Sequence, residues 1–463
     1  MIVWIAVVAA GVVGAVAIGC SSNVTSGTGN GMGMVAVQMS DPATCQAPSG
    51  PFSHVYVTVS DVQAHTSSTA SATDSGWVDL TPNLAKAPKQ IDLLGPVTNG
   101  CFLAALGDPL EIQAGTYQQL RVILTDSTSG LTTNACTGSA NCVALTAGGS
   151  SALELSSETK TGIKIPSGQI ANGGFTVTAG QTKDLDIDFN TCVSIVQEGN
   201  GKYRLKPVLH AGEVSTTSTS INGTVVDSVT GKAITGPAIV ALEQKDSAGI
   251  DRVFMSTMTD ASGAFSFCPL PAGTYDVVIV GSSSAGVVYS PTVVTGVSPG
   301  AALGSVPMHA LAVVSVSAAK LSGQVTTATA GSAGTVADVQ VSALETVATG
   351  LTVTIPLLPT STQTSAALAL ATAASGSCPS GTDCVTYSIQ LPAGAAFVGA
   401  YSTSGTTVSQ SALAASYQMD GIAFVPSSGG TLDCSPNEET AAAVTPVVAV
   451  TTNVAVLKFG GCQ

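Results

Sequence analysis

Apolar and polar residues alternate in short runs along most of this chain, and such runs predict β-strands. The clearest run covers residues 54–62, where Val55, Val57 and Val59 share one face. Gly, Pro, Ser and Asn interrupt the runs at intervals of about 8–12 residues, which is the spacing of antiparallel sandwiches. The pattern predicts a mainly β protein of tandem antiparallel β-sandwich domains, with no long helix.

A stricter alternation covers residues 183–189, where Asp184, Asp186 and Asp188 lie on the face opposite to the apolar side chains. Stacked carboxylates are candidate calcium ligands. Side chains two residues apart on one strand are about 6–7 Å apart, too far to share a small cation without a second ligand loop. We therefore expect a solvated strand face rather than a calcium site.

The first twenty residues predict a lipoprotein signal. An uncharged apolar run from Ile2 to Ile18 is followed by Gly19 and Cys20. A small residue admits the signal peptidase, and the Cys20 thiol is acylated before it becomes the new N-terminus. The alternative is a membrane anchor that is not cleaved, but glycines interrupt the run and it is shorter than the ~20 apolar residues that span a bilayer. We predict lipid anchoring in the cell envelope, at the outer membrane because Ser21 follows the cysteine.

Composition and charge exclude one class of partner, and the chain length predicts the number of domains. The 463 residues carry a net charge of −14, with 9% charged and 4% aromatic residues. No basic cluster is present to replace the counterions of a phosphate backbone, so we expect no nucleic-acid partner. The length predicts about three domains of ~100–200 residues.

Two Ser/Gly/Thr-rich stretches divide the chain by composition alone. The predicted order is a signal peptide (1–19), a tether (20–33), a first β-rich segment (34–214), a linker (215–220), a middle β-sandwich segment (221–310) and a C-terminal β-rich segment (316–463).

Eleven cysteines are present, and ten remain once Cys20 is lipidated. An even number in an exported chain predicts disulfides. The candidates are Cys136 with Cys142, Cys378 with Cys384, and Cys434 with Cys462. Cys268 either pairs across a domain boundary or is buried as a free thiol. A zinc site is disfavoured because there is no Cys-x-x-Cys and no histidine near a close cysteine pair.

Three motifs mark the middle segment. They are Ile-x-Gly-x-Val-x-Asp-x-x-x-Gly over 221–231, Thr-Asp-x-x-Gly-x-Phe-x-Phe over 259–267, and Leu-Pro-x-Gly-x-Tyr over 270–275. At these residues the chain resembles the carboxypeptidase regulatory-like domain. The resemblance implies a transthyretin-like sandwich among the carbohydrate-binding-like folds. It implies no peptidase activity, because no catalytic zinc motif accompanies it.

The first segment resembles a family of bacterial lipoprotein domains without assigned function, the domain-of-unknown-function 4382 family. The segments that carry the resemblance are 40–42, 54–59, 76–77, 91–94, 114–121 and 205–208. This resemblance implies export and architecture, and no activity.

Residues with catalytic spacing are not found. The four histidines are scattered, without a His-Glu-x-x-His motif, and residues 281–286 lack the Gly-x-Ser-x-Gly of a nucleophile elbow. We expect no cofactor and no metal. For a glycan, which stacks on flat aromatic faces, the candidate binding residues are Trp77, Tyr289 and Tyr401, the two tyrosines being expected to be exposed.

The sequence thus predicts a non-catalytic envelope lipoprotein that acts as a binding or adhesion module, with carbohydrate as the candidate ligand. One alternative is a structural or assembly subunit that binds other envelope proteins through sandwich edges. A third is a hydrolase whose site is assembled only in space, such as a pair of glycosidase carboxylates.

Overall fold

The computed structural model describes most of the chain after residue 30. The described residues are 31–40, 52–95, 104–155, 158–165, 167–189, 191–197, 201–205, 209–214, 220–236, 238–268, 270–311, 318–328, 338–358, 367–369, 378–379, 382–424 and 438–459. Within these ranges, no helix is long and apolar enough to cross a membrane. The chain is nearly all β, as predicted.

The first segment contains the strands β1 (Met32–Ser40), β2 (Phe52–His65), β3 (Val78–Asp79), β4 (Lys89–Asp92), β5 (Ala104–Ala105), β6 (Leu110–Gln113), β7 (Gly115–Tyr117), β8 (Gln119–Leu124), β9 (Cys142–Leu145), β10 (Ser150–Glu154), β11 (Ile163–Ile165), β12 (Phe175–Val177), β13 (Thr182–Phe189), β14 (Ile195–Gln197), β15 (Tyr203–Leu205) and β16 (Leu209–Val214). Its helices are α1 (Thr191–Ser194) and the 3₁₀ turns Ser167–Gln169 and Ala171–Gly173.

The middle segment contains β17 (Ile221–Asp227), β18 (Ala238–Lys245), β19 (Ile250–Met258), β20 (Ala264–Phe267), β21 (Tyr275–Gly281), β22 (Thr292–Val297) and β23 (Ala302–Met308). The C-terminal segment contains β24 (Ala318–Ala328), β25 (Asp338–Ala348), β26 (Leu351–Ile355), β27 (Ala367–Ala369), β28 (Thr382–Pro392), β29 (Phe397–Ala400), β30 (Ser409–Gln410), β31 (Tyr417–Phe424), β32 (Glu438–Thr440), β33 (Thr451–Asn453) and β34 (Leu457–Phe459).

Two sheets enclose the core of the first segment. One has the order β16-β13-β1-β5, with β6 also paired to β1, and the other has the order β11-β8-β2-β9-β10-β15-β14, with β3 and β4 on β2. The predicted alternation holds, because Val55, Val57 and Val59 are fully buried in this core.

The middle and C-terminal segments share one sheet, in the order β30-β29-β22-β21-β18-β19-β26-β25-β31-β32. The strands β19 and β26 pair in parallel, as do β22 and β29, so the C-terminal segment extends the middle sheet at both edges. The predicted segment boundaries stay predictions, but hydrogen bonding crosses the one near residue 311.

Both faces of this shared sheet are buried. Val240, Leu242 and Val277 lie in one core with the sheet β20-β17-β23, whereas Ala241 and Val278 lie in another with β24, β28 and β34. The run 275–281 is buried at every position. A strand that is covered on both faces has apolar residues at successive positions instead of an alternation, and this explains the run Val-Val-Ile-Val over 277–280.

The first and middle segments are in close contact. Ala171 of the first segment belongs to the core of the middle segment. A Cβ placed on Gly212 would lie 2.4 Å from Cγ of Pro271, in the Leu-Pro-x-Gly turn. Gly212 is therefore needed for this turn to reach β16.

Two predicted disulfides are confirmed, Cys136–Cys142 and Cys378–Cys384. Cys268 is buried and disulfide-bonded, so the free-thiol alternative is wrong. It is the only cysteine between residues 193 and 377. Its disulfide must therefore leave the middle segment and cross a predicted boundary. Cys434 and Cys462 lie outside the described residues, as does Cys20.

Candidate functional site

The three aromatic residues predicted to bind a ligand lie in different parts of the molecule. Trp77 closes the loop after β2 in the first segment, Tyr289 precedes β22, and Tyr401 follows β29. Tyr289 and Tyr401 lie toward opposite ends of β22, because the backbone of Tyr401 bonds to Thr295 near its end. The structure does not bring the three rings into one site.

The expectation of an exposed ring is wrong for Tyr289, which is 5% exposed and packs in the middle core. Its hydroxyl donates to Oδ2 of Asp227 at 3.1 Å. Burial, followed by this hydrogen bond, raises the pKa of Tyr289 to about 12. Tyr401 is half-buried against the same core.

Trp77 lies on the outer face of the larger sheet of the first segment, where the loop 66–76 folds across the strands. Three long side chains of the sheet hold the loop by donating to its backbone carbonyls. Arg121 Nη1 donates to Ala72 at 2.8 Å, Lys164 Nζ donates to Ala70 at 3.3 Å, and Gln119 donates to Ser68. The loop is thus fixed on a rigid support.

The indole of Trp77 is half-buried and held by three interactions. Its Nε1 donates to the carbonyl of Ser71 at 2.8 Å, the guanidinium of Arg121 lies 4.3 Å from the ring centroid, and the ring of His65 is 5.2 Å away, centroid to centroid. A cation at this distance over a tryptophan ring contributes about 0.5–1 kcal/mol at a partly exposed position. The ring is therefore immobilised with part of its surface open to solvent.

A row of polar side chains runs beside this ring. Strand register places Lys164, Arg121, Gln63 and Asp79 next to one another across β11, β8, β2 and β3. Arg121 Nε donates to Gln63 at 2.7 Å. We call Trp77, Asp61 and this row the Trp77 surface.

Asp61 lies two residues before Gln63 on β2, and its Oδ2 accepts a hydrogen bond from Nε2 of Gln63. Its Oδ1 has no hydrogen-bond partner among the described residues. Burial, and then the neighbouring carboxyl group of Asp79, raises the pKa of Asp61 to about 6.

A second aromatic pair joins the middle and C-terminal segments. The rings of His309 and Phe397 stack in parallel with centroids 3.7 Å apart, and both are half-exposed. Burial lowers the pKa of His309, so the stack is uncharged at neutral pH. Sequence reasoning missed this pair, because its members lie far apart in the chain and neither stands in a motif.

The predicted solvated face of β13 is wrong for two of its three aspartates. Asp186 and Asp188 are 4% and 2% exposed, and with His210 they line a narrow cavity closed by the middle segment. Only Asp184 is partly exposed. The reason is tertiary, since β19 and Pro271 cover this face.

In the part of the chain that the structure describes, no three His, Cys, Asp or Glu side chains are placed to hold one metal ion.

Two family models match the chain in the predicted order. Residues 32–207 match the family described as "Domain of unknown function (DUF4382)", and residues 220–302 match the carboxypeptidase regulatory-like domain. No curated protein matches the sequence significantly.

Solved structures give weak similarities. The Bacillus anthracis TIE protein is 10% identical at a TM-score of 0.17, over 93% of this chain and 50% of that one, so this chain spans about half of its length. The shaft pilin SpaA of Lactobacillus rhamnosus GG is 12% identical at a TM-score of 0.17, over 61% of this chain and 99% of that one. The minor pilin of Streptococcus agalactiae is 10% identical at a TM-score of 0.15, over 53% of this chain and 97% of that one. TM-scores this low do not indicate a shared overall arrangement.

Proposed function

Because the chain carries a DUF4382 domain followed by a carboxypeptidase regulatory-like domain, we propose that it is a non-catalytic binding module of the cell envelope. We further propose that it is anchored through lipid on Cys20 and that it binds carbohydrate at the Trp77 surface.

The observation that carries the proposal is the immobilised, half-exposed indole of Trp77 beside fixed polar side chains. Sugar rings stack on aromatic faces, and a few preorganised polar groups orient their hydroxyls. The side chains of Gln63, Arg121, Asp61 and Asp79 supply both donors and acceptors at this surface. Since the loop is already held in place, binding costs little ordering entropy.

The edges of the shared sheet are poorly suited to the alternative function, in which the chain binds other envelope proteins by edge-to-edge strand pairing. Its terminal strands β30 and β32 have two and three residues, and β32 carries Glu438 and Glu439. Short, charged edge strands are a common protection against edge-to-edge pairing.

The test is a glycan array followed by titration calorimetry, with the disulfide-intact chain that starts after Cys20. We expect saturable binding that Trp77→Ala weakens at least tenfold. Trp77→Phe, which keeps a ring, should retain affinity within about threefold. Val229→Ser is the matched control, since Val229 is 87% exposed in the turn after β17, outside the Trp77 surface.

The outcomes separate the parts of the proposal. Wild-type affinity in Trp77→Ala would overturn the assignment of the surface. An array without any saturable hit would overturn carbohydrate as the ligand class. Turnover of a bound glycan would contradict the non-catalytic role.

A further inference from the structure

The first and middle segments meet at a joint that contains buried titratable groups. Asp186, Asp188, His210 and Gly212 of the first segment face Phe254, Met255 and Pro271 of the middle segment. We call this contact the joint. The two sides of the joint approach so closely that a Cβ added to Gly212 would lie only 2.4 Å from Cγ of Pro271.

Asp186 has one side-chain hydrogen bond in the joint. Its Oδ2 accepts a hydrogen bond from Oγ of Ser40 at 2.7 Å, whereas its Oδ1 has no hydrogen-bond partner among the described residues. The residue is 4% exposed, and the backbone of Ile187 adds a further stabilising contact. A charged carboxylate with so few donors in so narrow a cavity is costly, because ionisation removes the proton without supplying compensating partners.

No described residue of the lining supplies a positive charge to balance an ionised Asp186. The titratable or charged groups on the elements around Asp186 are Asp184 and Asp188 on β13, the ion pair of Lys183 with Glu213, and His210 on β16. Among the residues that the structure describes, the middle segment contributes uncharged Phe254, Met255 and Pro271 to the lining, and no Lys or Arg is part of it.

His210 does not supply the missing cation. Burial lowers the pKa of His210 to about 4, despite a hydrogen bond with the backbone of Val253. Its imidazole is therefore neutral at every pH above about 5.

We propose that the joint is a proton-dependent contact, closed while Asp186 is protonated and opened to water when its carboxyl ionises. The sign follows from linkage, because an acid protonated in the closed state and ionised in the open state favours opening as pH rises. Burial raises the pKa of Asp186 to about 7, so the change falls in the neutral range. This inference does not depend on the proposed carbohydrate binding.

The test is hydrogen exchange by mass spectrometry on the disulfide-intact chain between pH 5 and 9, with each rate divided by the intrinsic rate at that pH. We expect β16 and the turn 270–273 to lose protection about a hundredfold across this range, as a pKa of about 7 when closed and about 4 when open requires. Asp186→Asn, which cannot ionise, should keep these peptides protected throughout. Asp184→Asn on the same strand, outside the cavity, should behave as the wild type.

A second variant keeps the proposal falsifiable if Asp186→Asn does not fold. Ser40→Ala removes the hydrogen bond that stabilises the ionised carboxylate in the closed state. Protection should then continue to fall to about one pH unit higher, and the total loss should be about tenfold larger. A wild-type pH profile in either variant would overturn the proposal. Wild-type peptides whose protection is constant from pH 5 to 9 would also overturn it.

Discussion

Carboxyl groups in the interior are the residues that set the pH behaviour of this protein. Glu345 lies on the core face of β25, opposite Val353 and Tyr417 on the neighbouring strands. It is 2% exposed, and its Oε2 has no hydrogen-bond partner among the described residues. Burial raises its pKa to about 8, despite a hydrogen bond with the backbone of Ser416. The folded state therefore holds a proton there that the unfolded chain has already released at neutral pH.

Glu345→Gln should remove this dependence on pH. A carboxyl group whose pKa is raised in the folded state contributes stability that is complete below its pKa in the unfolded chain. That stability is lost as pH rises through its pKa in the folded state. The free energy of unfolding of the variant, relative to the wild type, should therefore rise by about 4 kcal/mol between pH 5 and pH 9. Urea denaturation at both pH values measures this difference.

Exposed Glu111 provides the control for that measurement, and Glu111→Gln should show no such difference between the two pH values. If the Glu345→Gln difference were also flat between pH 5 and 9, Glu345 would not be held protonated by burial.

At the scale of the element, β21 shows how far the sequence pattern can be read. Val277 and Val278 are adjacent, so their side chains lie on opposite faces of the strand. Both are fully buried, but in different cores, one with β17, β20 and β23 and the other with the C-terminal strands. A two-layer sandwich would leave one of the two facing solvent.

Val277→Ala and Val278→Ala should therefore cost similar amounts of stability. Removing two buried methyl groups from a packed core costs about 2 kcal/mol, including the cavity term. Chemical denaturation of the full chain measures each cost. Val447→Ala, at a side chain 49% exposed, should change stability by less than about 0.5 kcal/mol. A near-neutral Val278→Ala would show that the C-terminal segment does not cover this face.

At the scale of the whole molecule, one side chain connects the middle and C-terminal segments electrostatically. Arg252 on β19 binds Asp246 through Nε at 3.0 Å, Glu438 through Nη2 at 2.7 Å, and Asp420 through Nη1. Asp420 is 1% exposed, so its charge depends on this partner. The shared sheet, the Cys268 disulfide and Arg252 together join the segments more tightly than a chain of independent domains.

Arg252→Ala should destabilise the chain by about 3 kcal/mol, because it leaves the buried carboxylate of Asp420 without its cation. Arg252→Lys should recover part of the loss, since one ammonium cannot serve three carboxylates at once. Thermal and urea denaturation provide the values.

Lys202→Ala is the surface control, as Lys202 is 62% exposed in its pair with Glu154. Such a pair contributes less than about 1 kcal/mol. Equal costs for Arg252→Ala and Lys202→Ala would contradict the role of Arg252 in joining the segments.

Much of the candidate site was beyond prediction from the sequence. Trp77 was found because aromatic residues are rare in this chain, but its partners Arg121 and Asp61 stand in ordinary strand positions. Only strand register brings them together. The stacked pair of His309 and Phe397 is joined by parallel pairing between segments, and local patterns do not encode such a contact.

The sequence by itself determined the features that depend on near neighbours. Period-two alternation gave the strands, and the spacing of six between Cys136 and Cys142, or between Cys378 and Cys384, gave two disulfides. The segments between residues 40 and 208, and the motifs over 221–275, predicted the order of the two recognised domains, which the family models match.

Only the tertiary structure decided which faces are covered. The aspartates of β13 follow the pattern of a solvated face, yet Pro271 and β19 bury two of them, and β21 serves two cores because a second segment extends its sheet. Alternation states that two faces differ, because side chains project to opposite sides of a strand. It does not state what packs on each face, because that depends on contacts between residues distant in the chain.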